Sequence, residues 1–410
     1  MNFKKSCLAI LIFLAVSFLQ AQTISKISFS ELKKTKESYL QKLTKRFYGL
    51  EATEKNLSEL ETVLQAEEIF ETIDLSVTQI DDENSEILVT VKEKITFIPL
   101  PFLSYSDGDW SGGAMILNMN GFGTKTTVVS GVLVSSDMDL GLLLISKPPA
   151  STNDLGGSFM CSFTKTETSR TDFYGDPFAS YKMTSWWLST SVQKKTSEIS
   201  KLSLGAEFEY KYLKNYSGSN EFYDSMNGVL KIFLLDLGWN LTKTDWNGMF
   251  LSTKSVKFEF SSGYDPKQKS FCYKNFCSAL LQFPLTQRLR IIGGGGAVHS
   301  KNIHLTDMSA GSDVSVTILP NHFVSQNLEG ISSGLEFGLI KLSFGLISAY
   351  GNFQTAIAEN FDGKDKINHG FSCGSKLYLS KIAFPALAVG YSYNITSHKY
   401  TISGSLGVSM

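Results

Sequence analysis

Beyond its first twenty-one residues, this 410-residue chain has no run of eighteen uninterrupted apolar residues, which excludes helical membrane spans. Cysteine is scarce. Of five in all, Cys161, Cys272, Cys277 and Cys373 follow that first segment, too few for a disulfide framework. Cys272 and Cys277 flank Lys274-Asn275, read as a tight turn, so they are either a hairpin disulfide or two unpaired apolar fillers. The five histidines, His299, His304, His322, His369 and His398, have no metal-ligand spacing, and neither metal nor cofactor is expected. With a net charge of −1 and no basic block, nothing points to nucleic acid as a partner.

Residues 1–21 read as a signal peptide. Lys4 and Lys5 form its positive start, Leu8 to Leu19 its apolar stretch, and Ala21 a small residue for cleavage. Cys7 precedes the apolar stretch, which argues against a lipoprotein site.

Charge density divides the remainder. Residues 22–95 carry ten Lys or Arg and fifteen Asp or Glu, whereas 96–410 hold fewer charges per residue and most of the glycine and aromatic side chains. In the first segment the patterning predicts a strand with Ile24, Ile27 and Phe29, then helices over 33–47 and 54–66. Leu57, Leu60 and Leu64 form one apolar stripe of the second helix, which Thr53 caps. Strands over 70–80 and 86–91 follow, joined by the polar turn 81–85, giving a small α+β domain of order β-α-α-β-β.

The second segment reads as strands throughout. At its end Tyr400, Ile402, Gly404, Leu406, Val408 and Met410 alternate with Thr401, Ser403, Ser405, Gly407 and Ser409. Residues 201–212 and 256–261 repeat the pattern. Strict alternation over ten or more residues suits a tilted membrane strand of about 9–11 residues better than the five or six typical of soluble sheets. Sixteen such runs lie between 98 and 410, two of them at 286–298 and 333–340 around a long segment 299–332. The expected fold is therefore an all-β transmembrane barrel of about sixteen antiparallel strands behind one small α+β domain.

Several quoted stretches carry a family resemblance. These are the opening strand with Ile27 and Phe29, Gly49 between the helices, Phe70 at the second strand, and Val89-Thr90-Val91-Lys92-Glu93-Lys94. After them come Ile98-Pro99-Leu100-Pro101-Phe102 through Trp110, and Asn118-Met119-Asn120-Gly121-Phe122-Gly123-Thr124-Lys125. In order and spacing they resemble the BamA/TamA superfamily of outer-membrane insertases and translocators, with residues 22–95 similar to its periplasmic POTRA module. The resemblance implies an outer-membrane barrel over 96–410 with its N-terminal domain in the periplasm. It also implies client capture by sheet-edge addition at the second POTRA strand, hence Phe70, Thr72, Asp74 and Ser76 as the client-binding edge. Three departures stand out. There is one such module rather than several. In the loop that the family folds into its lumen, the counterpart of the arginine motif is Leu328-Glu329-Gly330, with glutamate in place of arginine. The last residue is Met410 rather than an aromatic.

Other motifs lack the context their chemistry needs. Gly330-Ile331-Ser332-Ser333-Gly334 fits the serine-hydrolase pattern, but Leu335 to Ile340 alternate as a strand and provide no elbow. Gly293 to Gly296 precede no helix, so the run suits close approach of another segment, such as 299–332, to the wall. Asp107-Gly108-Asp109 reads as a hairpin turn. An enzyme is not expected.

Pro99 and Pro101 remain. Either they belong to a linker, or they deprive one edge of the first barrel strand of two donors, and that edge then faces the seam closing first strand on last. On the second reading, Pro99, Pro101 and Phe102 face Tyr400, Ile402, Gly404, Leu406 and Met410 across a weak gate. The function expected is assembly, insertion or translocation of outer-membrane proteins, templated at that seam. Its partners would be the lipid bilayer, unfolded barrel-protein clients and accessory periplasmic proteins. The alternative is a passive pore with an anchor domain.

Overall fold

The computed structural model describes residues 22–106, 109–135, 138–218, 228–247, 249–320, 322–359, 365–381 and 387–406, with the backbone alone at 102–106, 109–111, 246–247, 251 and 403–406. The chain divides into two compact units, one ending at Glu93 and the other beginning at Lys94.

The first unit runs β1 (Thr23–Ser30), α1 (Glu37–Thr44), α2 (Glu54–Ala66), β2 (Phe70–Gln79) and β3 (Asn84–Glu93). Its sheet has the order β1-β3-β2, with β1 parallel and β2 antiparallel to β3. A register shift between Ile24 and Lys26 lets Ile24 and Ile27, three apart, both reach the core. Leu60 and Leu64 of the α2 stripe are fully buried, and the Thr53 side chain accepts from Asn56 N–H. The first helix starts later than its apolar pattern suggests. Residues 33–35 instead donate their N–H groups to the Glu93 carboxylate, which ties the segment to the end of β3. Tyr39 donates to Glu67 at 2.6 Å, and burial raises the Tyr39 phenol above its ordinary pKa.

The second unit is one antiparallel sheet of sixteen strands in chain order, the number expected. It opens with β4 (Phe97–Ser106), β5 (Asp109–Gly121), β6 (Thr126–Ser135) and β7 (Met138–Lys147). Next come β8 (Leu155–Thr171), β9 (Pro177–Lys195), β10 (Ser200–Gly218), β11 (Gly228–Asn247) and β12 (Phe250–Asp265). β13 (Ser270–Pro284), β14 (Leu289–Lys301), β15 (Asn327–Leu342) and β16 (Gly345–Glu359) follow. β17 (Asp365–Leu379), β18 (Leu387–Asn394) and β19 (Tyr400–Leu406) end it. Below, the rim where β4 begins is the proximal rim and the opposite one the distal rim.

The two faces of this sheet invert those of a soluble protein. In β15, Ser332 and Glu336 are buried while Ile331 and Leu335 are exposed. In β17, Asn368, Ser372 and Lys376 are buried while Ile367 and Phe371 are exposed. Apolar side chains facing out and polar ones facing in is the pattern lipid imposes on a barrel. Among the described residues no helix is long and apolar enough to cross a membrane.

Two expectations change. Lys274-Asn275 is no turn, because β13 runs straight through it, paired with Ser261 and Phe260 of β12. Cys272 and Cys277 are free thiols of that one strand, an odd number of residues apart and so on opposite faces. β15 also starts at Asn327 rather than 333, which shortens the long connection to 302–326.

Candidate functional site: the barrel seam and the lumen loop

The two ends of the sheet, β4 and β19, are not hydrogen-bonded to each other among the described residues. The phase of the β4 ladder follows from one bond and one register. Met119 N–H donates to Thr96 C=O, and Phe97 pairs with Asn118. Even-numbered residues of β4 therefore direct their backbone groups to β5, and odd-numbered ones direct them to the open edge. Pro99 and Pro101 are inside this strand, opposite Ile116 and Ala114. Their missing N–H groups fall on the open edge and cost the β4–β5 ladder nothing. Ile95, of the same parity, donates to Lys381 C=O at 2.9 Å, in the connection between β17 and β18.

On the other side, β19 pairs with β18 from Tyr400 opposite Tyr393 to Leu406 opposite Leu387, with Gly404 opposite Val389. Tyr400 and Ile402 are 67% and 71% exposed, and Tyr400 stacks on Tyr391 at 5.9 Å. Phe102 pairs with Gly113 through its backbone. The side chains of Phe102 and Leu406, and all of Met410, lie outside the described residues.

The connection 302–326 leaves the distal rim and folds back against the inner wall. Val314, Val316, Ile318 and Phe323 are buried with Phe173 and with Val298, Leu328 and Ala356 of the wall. Leu305, Met308 and Val324 make a second cluster with Tyr181, Leu213 and Leu230. Polar bonds fix the loop at several strands. His304 meets Asp265 of β12 at 2.6 Å, both fully buried, and Asp307 pairs with Lys211 of β10. Gln354 of β16 accepts from Thr317 N–H, and the Asn394 side chain of β18 donates to Ile318 C=O.

Leu328, Glu329 and Gly330 need correcting as loop residues. All three belong to β15, opposite Val298, Ala297 and Gly296 of β14. Strand alternation turns Leu328 and Gly330 inward and Glu329 outward, so Glu329 does not occupy the place of a lumen arginine. Gly330 still matters to the loop, because a Cβ there would stand 2.7 Å from Val314 Cγ2. At Gly296 it would stand 3.1 Å from Val314 Cα. The glycine run thus admits the loop to the wall, as its composition suggested. Ser332, of the hydrolase-like pattern, is mid-strand and donates to Gly294 C=O.

Sequence reading missed a charged cluster on the inner wall near the proximal rim. Arg290 Nε and Nη2 both donate to Glu336 Oε2, at 3.1 and 2.8 Å, and Nη1 donates to Gln282. Ser348 and Tyr378 donate to Glu336 Oε1, and Lys376 Nζ is 3.5 Å from Oε2. The Arg290 guanidinium also lies 4.4 Å over the Phe250 ring. The signal was present in the sequence. Arg290 sits between Leu289 and Ile291, and Glu336 between Leu335 and Phe337, each an ion at the inward parity of an apolar-out strand. Among the described residues no His, Cys, Asp or Glu group could hold a metal.

In the first unit, among the described residues, one sheet edge is covered and the other is open. Beside β1, Ile24 N–H donates to Leu50 C=O and Gly49 N–H to Ile24 C=O. Among the described residues β2 pairs with β3 alone, and its Thr72, Asp74 and Ser76 side chains are exposed. Phe70 is buried, so only its backbone can serve that edge.

A sixteen-stranded sheet with an unpaired seam and a loop folded onto its inner wall can be compared with solved structures. BamA from Haemophilus ducreyi lacking POTRA domains 1-3 superposes with a TM-score of 0.55 at 15% identity, over 94% of this chain and 84% of that one. CdiB from Acinetobacter baumannii gives 0.60 at 15% identity, over 94% and 73%. The fold is that of a BamA-type outer-membrane barrel. No family model matches the chain. No curated protein matches it either. The likeness to these two barrels is one of architecture, at 15% identity.

Proposed function

We propose that this BamA-type barrel assembles other proteins into or across the bacterial outer membrane, by strand templating and without covalent chemistry. The observation that carries the reading is the β4 edge. Pro99 and Pro101 remove two donors from the open edge of β4, and each bond missing toward a closing strand weakens closure by about 0.5–1.5 kcal/mol. A seam that closes poorly can open to an incoming strand.

The inner wall supports the same reading. Loop 302–326 and the Arg290 cluster brace β8 to β18, whereas no described residue from 127 to 147 is buried. β4 to β7 thus form the leaf with least to hold it. The apolar clusters of the loop also weigh against a passive pore. The first unit acts as a POTRA-like periplasmic domain, and its open β2 edge, at Thr72, Asp74 and Ser76, takes an extended client by strand addition. Unfolded barrel proteins are the clients, with accessory periplasmic proteins and the bilayer as partners.

A disulfide between β4 and β19 tests the gate, using Leu100→Cys with Ser403→Cys or Ser405→Cys in a background without Cys161 and Cys373. The locked form should stop client assembly, and reduction should restore it. Unimpaired assembly with the lock confirmed closed sinks the proposal. Steady conductance in planar bilayers, with no client defect on depletion, would favour the pore.

A further inference from the structure

The outer wall carries a groove of about 840 Å³ that neither the seam nor the loop uses. It runs across the strands from β9 to β14, five inter-strand spacings or about 24 Å. Two cross-strand rows wall it. One holds Leu202, Trp239 and Phe258 in successive register, the other Leu204, Leu237 and Phe260. All six are exposed and of the outward parity, so the groove opens to the membrane. Gly238, between the rows, contributes backbone to its floor. Ala297 narrows the far part only slightly.

The ends decide the occupant. Lys194, opposite Leu202 and one residue from the proximal end of β9, lines the groove and is exposed, with no ion pair among the described residues. In the same cross-strand row, two strands on, Trp239 stacks on Phe258 at 5.6 Å, and its indole N–H donates to Ser200 Oγ, at the proximal start of β10, at 3.0 Å. A tryptophan with its ring against apolar wall and its N–H among polar groups marks the membrane–water interface. Lys194 therefore lies at headgroup depth, and the apolar rows lead from it into hydrocarbon.

We propose that the groove is a binding site for an anionic phospholipid of the proximal leaflet, its phosphate on Lys194 and an acyl chain between the two rows. The site is independent of whether the barrel assembles clients. A lone surface lysine strengthens attraction to an anionic lipid by roughly five-fold.

Full-length protein in detergent is titrated with phosphatidylglycerol, phosphatidylethanolamine or inorganic phosphate, and bound lipid is counted by native mass spectrometry. Folding is confirmed by heat-modifiable mobility on gels. The intact protein should retain one phosphatidylglycerol in preference to phosphatidylethanolamine. Lys194→Gln should weaken phosphatidylglycerol about five-fold and leave phosphatidylethanolamine unchanged, and Ala297→Phe should weaken both. Chain-brominated phosphatidylglycerol should quench the intact protein more than Trp239→Phe, a readout that holds if Ala297→Phe folds poorly. Equal retention of both lipids by the intact protein and by Lys194→Gln overturns the site in favour of unspecific annular lipid. Full displacement by inorganic phosphate overturns the acyl-chain assignment.

Discussion

Gly296 and Gly330 face each other directly across the β14–β15 pair, and Val314 of the lumen loop rests over both. Neither position has room for a methyl group without moving backbone or Val314. The wall is thus shaped at two facing residues for the segment that covers it.

Gly330→Val should displace the loop while the sheet still forms, since overpacking costs about 1–3 kcal/mol. Protease cleavage within 302–326 should rise, and so should conductance in planar bilayers. Gly293→Ala is the control, because its nearest neighbour to a new Cβ is 3.7 Å away. If both variants resist protease like the parent, the loop does not depend on this contact.

Glu336 is the one carboxylate between Arg290 and Lys376 in the buried wall cluster. Removing it in Glu336→Ala takes the shared carboxylate from two buried cations, and breaking a buried pair costs about 3–5 kcal/mol. Thermal unfolding followed by heat-modifiable mobility should show a large drop. Arg290→Met together with Glu336→Gln should lose clearly less than the two single losses added. Strict additivity would show that the pair is not coupled.

Pro99→Ala with Pro101→Ala should restore two N–H donors to the open edge of β4. At about 0.5–1.5 kcal/mol per bond, the seam should close more tightly and client insertion should slow by roughly an order of magnitude. Hydrogen exchange in β4 should slow with it. An insertion rate equal to the parent, with exchange slowed, would separate seam strength from activity.

The first unit should weaken as pH falls through the carboxylate range. Lys26, hydrogen-bonded to Glu86, holds that carboxyl below its usual range, with Ser28 as a second donor. A carboxyl depressed by folding stabilises the fold above its unfolded pKa, and the contribution fades as the folded group protonates. Hydrogen exchange at β1 and β3 in the intact chain should therefore quicken toward acid pH, and less so in Glu86→Gln. An identical acid response in both would assign the effect to other groups.

Period-2 patterning alone determined the class of the large unit and its strand number, because lipid and lumen demand opposite polarity from alternate residues. It also determined the β-α-α-β-β order of the small unit and the Thr53 cap, which are local matters of spacing. The edge to which Pro99 and Pro101 present their missing donors was decided only by the ladder phase at Thr96 and Met119. Tertiary structure alone moved Leu328 to Gly330 from loop to wall, since a strand's start depends on a partner far along the chain. It also set Arg290 directly opposite Glu336 on the neighbouring strand and turned Cys272 and Cys277 to opposite faces of one. Alternation is written in a single strand. Register, the phase of its hydrogen bonds and the packing of a loop on a wall are properties of strands held together.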